Sequence, residues 1–310
     1  MYGETVALVV AVLWTTGALF GELASKRLGA LPLNVIRMVL SLLMLGTALW
    51  FMVGHPYPYL ADSETWLWMT LSGLMGFGFG DYCLFNSYNL IGSRFSQLFM
   101  TLASPFAAIT AWLMLGERMT QLGILGMTIT LIGIGMGVLS KAPTEEHRHL
   151  TVKFPAKGVA FGIGAALGQG VGLVLSKVGL EHYTTSAPLE EGMSSFMYPV
   201  AGTMIRALAG LACFLFLLIV KGKTQRLVTA VNDGRGMSYA LLATFLGPAL
   251  GVSLSLLALQ YTKAGIAQTI MSLVPILIIW PSRLLFKTKV TTLEVIGAII
   301  TVFGVTLFFI

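Results

Sequence analysis

Residues 74–140 and 245–310 of this chain resemble each other at a constant offset. Gly80 answers to Gly251, Gln97 to Gln268, Met100 to Met271, Thr120 to Thr291, Gly126 to Gly297 and Gly133 to Gly304. Both copies are apolar enough to sit in lipid. This duplication constrains the fold strongly, because membrane proteins built from paired repeats commonly enclose a site at the repeat interface near the bilayer midplane.

Composition makes the bilayer the solvent. The chain has 310 residues, 56% hydrophobic and 10% charged, with a mean hydropathy of +0.85, whereas a soluble protein carries about 25% charged residues. Its net charge of +6 sits in short loops. It forms no basic helix face or aromatic platform, so no nucleic-acid partner is expected. Cys83 and Cys213 fall inside apolar runs and read as small buried hydrophobes, with no disulfide framework and no metal-ligand spacing. Glu145, Glu146, His147 and His149 lie in a polar loop that reads as solvated. Neither a metal nor a cofactor is therefore expected. The N-terminus MYGETVALVV has no basic segment, and no clear small-residue cleavage site follows it, so it reads as a retained first helix.

A helix needs about 20 apolar residues to cross the hydrocarbon. Apolar runs lie near 4–24, 32–53, 66–90, 95–115, 121–140, 158–179, 197–220, 237–259, 264–286 and 292–310. A closed barrel would need a dyad alternation that is absent. The spacing predicts an all-α integral membrane protein of about ten transmembrane helices. The polar break at 141–157 divides it into two five-helix repeats, 1–140 and 158–310. An odd number of helices per repeat makes the two copies insert with opposite orientation, so the repeats are inverted. Lys and Arg concentrate in alternate loops, beginning with Lys26 and Arg27. They favour the cytoplasm, which predicts a multi-pass protein of the cell (plasma) membrane with both termini outside.

The stretch 105–120, PFAAITAWLMLGERMT, runs into a Gly-rich segment at 121–139. With Leu13-Trp14, Arg37 and the run from Gly80-Asp81-Tyr82 to Ile91-Gly92, it resembles the ten-helix EamA-type branch of the drug/metabolite transporter superfamily. The resemblance covers nearly the whole chain. It implies transport of a small metabolite, often export, and in many relatives termini on the cytoplasmic side, contrary to the charge distribution. The second copy departs from the pattern: Lys287-Thr288-Lys289 stand where the first has Gly116-Glu117-Arg118.

Gln97, Thr101 and Ser104 recur at i, i+4 and i+7 on one helix face. Gln268, Ser272 and Pro275 repeat that spacing. Matching stripes suit a pathway lining, although Ser, Thr and Gln also hold packed membrane helices together. Asp81 is an ionisable group inside an apolar segment, expensive there and functional by default. It is the candidate for proton coupling and substrate binding, with Tyr82 and Asn86 on a broad shared face. Its alternative is a structural carboxylate. Glu22 could bind a cationic group or pair with Arg37, or bond Lys26 at i+4. Trp14 could stack on substrate or anchor at the interface. Gln169 and Ser176 share a face and could add cavity contacts. Arg37 and Arg206 stand near helix ends and are expected to snorkel toward headgroups, and Glu117 to shape a turn beside Arg118. The glycine series at 76 and 80, at 158 and 162, and at 164, 168 and 172 read as close-packing seams. They are not phosphate loops, since no strand precedes them.

The leading expectation is a secondary transporter, an exporter by resemblance, of a small organic metabolite such as an amino acid, working by alternating access. Its partners would be a small-molecule substrate and the lipid bilayer, as a monomer or homodimer. A membrane enzyme is disfavoured because all four His are expected in loops. A lipid or polyprenyl-lipid flippase is the alternative.

Overall fold

The computed structural model describes residues 1–139, 155–188, 194–277 and 292–308. The acidic and histidine-containing loop, the Lys287–Lys289 turn and the end of the ninth apolar run lie outside the described residues. Every element among the described residues is helical. Helices α1 (Tyr2–Leu28) and α2 (Ala30–Val53) are separated by one residue, Gly29. Its φ of 85° is comfortable only without a Cβ. Pro32 sits in the first turn of α2, where its missing N–H costs nothing. Asp62 caps α3 (Ser63–Gly73) by accepting the Thr65 N–H at 3.0 Å.

From α3 the chain passes through a π-helical stretch, Leu74–Asp81, into α4 (Tyr82–Met100), which bends at Gly92 with φ 77°. The bend falls at the predicted gap between the third and fourth apolar runs. The first half closes with α5 (Ala103–Leu115) and α6 (Gln121–Leu139). The second half holds α7 (Ala156–Ser186), α8 (Met197–Val220), α9 (Thr224–Val231) and α10 (Gly234–Thr244). A second π-helical stretch, Phe245–Ala249, leads into α11 (Leu250–Leu259), followed by α12 (Ala264–Met271), α13 (Val274–Leu277) and α14 (Thr292–Thr306). Among the described residues, six segments are long and apolar enough to cross a membrane, and three shorter helices are also apolar. The remaining run, α3 to the Gly92 bend, is more polar because it carries Asp81, Asn86 and Asn89.

The duplication extends to the irregularities. The two π-helical stretches start at Leu74 and Phe245, matched positions of the two copies. The break between α4 and α5 at Thr101 and Leu102 is matched by the break between α12 and α13 at Ser272 and Leu273. Pro105 and Pro275 each sit in the first turn after their break, so neither removes a donor from a helix interior. The short helix α9 lies between the seventh and eighth apolar runs, where no span is expected. One sequence expectation changes here. His182 lies in the last turns of α7, not in a loop, because α7 continues to Ser186.

Helices of one half pack mainly on helices of the other: α1 on α10, α11 and α12, α2 on α8, α3 and α4 on α7, and α6 on α14. The glycine series face each other across this boundary. A methyl on Gly168 would stand 2.7 Å from Gly80 Cα, and one on Gly172 would stand 2.8 Å from the Gly76 nitrogen. Backbones this close leave room for hydrogen only. The α6–α14 seam is reciprocal: a Cβ on Gly133 would meet Thr301 Oγ1, and one on Gly304 would meet Thr130 Oγ1, each at 2.5 Å.

A candidate binding cavity between the two repeats

The π-helical stretch Leu74–Asp81 lies between α7 and α8, and a widened turn of this kind re-aims the side chains that follow it. It brings Asp81 to a cavity between the two halves. Trp14, Gly17 and Ala18 of α1 and Arg37 of α2 form one part of the wall. Phe77 and Asp81, with Leu84, Phe85, Tyr88, Gln97 and Met100 of α4, form another. The second half contributes Gln169 of α7, Ala243 of α10, Gly247 and Pro248 of the second π-helical stretch, Val252 of α11 and Gln268 of α12.

Asp81 is 4% exposed and Arg37 is 6% exposed. Arg37 Nη1 donates to Asp81 Oδ2 and to Asn34 Oδ1, each at 2.9 Å. Gln169 Nε2 donates to Asp81 Oδ1 at 2.9 Å and to the Gly76 carbonyl at 3.2 Å, so the carboxylate is held from both halves of the chain. The Arg37 guanidinium also lies 4.5 Å from the centre of the Phe85 ring, a cation–π contact. Gln97 donates to the Tyr88 hydroxyl at 2.5 Å. The cavity thus combines a paired acid and base, three glutamines and aromatic walls, which can orient a small solute through charge, hydrogen bonds and stacking.

Five of the ten candidate residues meet at this cavity: Trp14, Asp81, Gln97, Gln169 and Gln268. The other five do not line it. Thr101 donates to the Leu98 carbonyl at 2.7 Å at the α4–α5 break. Ser272 bonds Ser104 across the repeats at 3.0 Å. The predicted continuous stripes are interrupted because both helices break after their glutamine, so the glutamines face the cavity and the serines join the repeats. Tyr82 and Asn86 turn to a neighbouring pocket with Lys221, Lys223 and Arg226, and Lys221 Nζ donates to the Tyr82 hydroxyl at 2.5 Å. Glu22 pairs with Lys26 at 2.6 Å and accepts from the Ser93 hydroxyl and, at 3.3 Å, its N–H, bracing the Gly92 bend.

The arginines correct the sequence expectation: neither snorkels. Arg37 pairs inward with Asp81, and Arg206 is 2% exposed. Their places inside apolar runs, each in the second helix of its repeat, were the available signal that they serve the interior. Glu117 does more than shape a turn. It pairs with Lys177 at 2.5 Å and accepts the Ala264 N–H at 3.0 Å, tying the α5–α6 turn to α7 and α12. Among the described residues, no group of three or more His, Cys, Asp or Glu side chains could hold a metal.

The family model described as "EamA-like transporter family" matches residues 1–139 and 156–310. No curated protein matches the chain in sequence. A solved crystal structure superposes with a TM-score of 0.71 over 99% of this chain and 96% of its own, at 15% identity, a likeness of fold.

Proposed function

The chain belongs to the EamA-like transporter family, and we propose that it is a secondary transporter, without enzymatic activity, that exports a small organic metabolite such as an amino acid by alternating access. The cavity between the repeats carries this reading. Five polar side chains from both halves, Arg37, Asp81, Gln97, Gln169 and Gln268, converge there within otherwise apolar helices. Polar groups at membrane depth are retained where they meet a solute or an ion, and a site walled by two repeats opens to either side as they rock against each other. The two halves, 1–140 and 158–310, are the rocking units, with both termini outside the plasma membrane. Asp81 is the proposed coupling residue: a proton taken up by its carboxylate once the solute has left would neutralise it and loosen its tie to Arg37.

The test is uptake by proteoliposomes of the purified protein against a metabolite panel, with and without a pH gradient. Gradient-stimulated uptake of one solute class is expected. Scrambling of a labelled lipid with no solute uptake would replace this reading with that of a lipid flippase.

A further inference from the structure

Arg206 of α8 is almost fully buried, and its Nε and Nη1 have no hydrogen-bond partner among the described residues. Its guanidinium carbon lies 4.9 Å from the centre of the Phe77 ring, and Phe77 lines the central cavity. A methyl on Gly76 would meet Arg206 Nη2 at 2.9 Å, so the glycine makes room for it beside the cavity wall.

The duplication explains why this cation has no carboxylate of its own among the described residues. Arg37 stands in the second helix of the first repeat, as Arg206 does in that of the second, and has Asp81 as its counterion at 2.9 Å. At the offset relating the repeats, Asp81 falls on Val252, which also lines the cavity. Two arginines therefore share one carboxylate, and Asp81 interacts electrostatically with both. It is the only carboxylate among the described lining residues. Among the described residues, one positive charge is left over beside a mostly apolar cavity, where an uncompensated charge is costly. A ligand of opposite charge removes that cost.

We propose that the transported solute is a small carboxylate carrying one net negative charge, selected by Arg206 together with Arg37. This rests on the transport reading above. A zwitterion of zero net charge leaves the excess cation unmet, whereas an acidic amino acid or a simple monocarboxylate balances it.

The experiment uses the full chain in proteoliposomes and solute pairs that differ by one charge on the same skeleton: glutamate and glutamine, aspartate and asparagine, lactate and lactamide. The anionic member of at least one pair is expected to enter about tenfold faster than its neutral partner. Arg206→Met, which removes the excess charge, and Val252→Asp, which supplies the missing partner, should each collapse that ratio, while Arg206→Lys retains it. Val252→Asp keeps both arginines, so it carries the test should Arg206→Met fail to fold. Neutral members entering as fast as anionic ones overturn the proposal, as does a ratio unchanged in both variants. Lack of uptake for every pair overturns it too, and uptake of other solutes would then show whether the transport reading survives.

Discussion

Asp81 holds the cavity network together, because its two oxygens take donors from α2 and α7. Removing one member of a buried ion pair leaves the other charge stranded, at a cost of about 3–5 kcal/mol. Asp81→Asn is therefore expected to lower the melting temperature and abolish gradient-driven uptake. The double variant Asp81→Leu with Arg37→Met should recover much of the stability and none of the transport. Uptake by the double variant would sink the coupling role. Asp62, outside the membrane, has its carboxyl held well below the usual range by hydrogen bonds from His182 and Thr65. A carboxyl with a depressed folded value contributes stability that is fully present above its unfolded value of about 4 and lost as pH falls toward the depressed one. Wild type should thus melt above Asp62→Asn, which keeps a capping oxygen, at neutral pH. The gap should close progressively below about pH 4.

Among the elements, the α3–α4 segment positions the site because glycine lets it lie against two neighbours. Gly168 and Gly172 of α7 approach its backbone, while Gly73 admits the backbone of Arg206 from α8. Lipid supplies no hydrophobic drive between helices, so this contact surface is itself the stabilising term. Gly168→Val forces the π-helical stretch away from α7, loosens the Gln169–Asp81 bond and should cost at least about 1–3 kcal/mol. The expected readout is a lower melting temperature in detergent together with weaker uptake. Gly135, which meets none of the described residues within 4 Å, should accept alanine without loss. Equal melting temperatures for the Gly168 and Gly135 variants would contradict the seam.

At the scale of the molecule, one end of the bundle is tied across the repeats. Glu117 joins Lys177 and the α12 N-terminus, Lys177 Nζ also donates to the Thr262 carbonyl at 3.0 Å, and Lys263 Nζ donates to the Arg118 carbonyl at 2.8 Å. Alternating access requires such ties to part. Cysteines at 117 and 177, in a protein with Cys83 and Cys213 replaced by Ala, should be joined by a disulfide-containing bis-maleimide cross-linker that stops uptake, and reductant should restore it. Undiminished uptake in the cross-linked protein would show that this end does not open.

The sequence by itself determined the class of fold and its symmetry. Apolar run length sets the spans, and the constant offset relates Gly80 to Gly251 and Gln97 to Gln268, because solvent and repetition act locally on the chain. It also marked Asp81 and the two glutamines, since polar groups stand out against apolar neighbours. The tertiary structure decided which of them meet. Tyr82 and Asp81 are adjacent in the chain, yet a widened turn and helix packing send Asp81 to the central cavity and Tyr82 to Lys221. Likewise Arg37 and Arg206 look alike in the sequence, but among the described residues Arg37 has a carboxylate of its own and Arg206 does not. That difference arises only when α2, α8 and the α3–α4 segment pack together, because a counterion is a matter of distance in space.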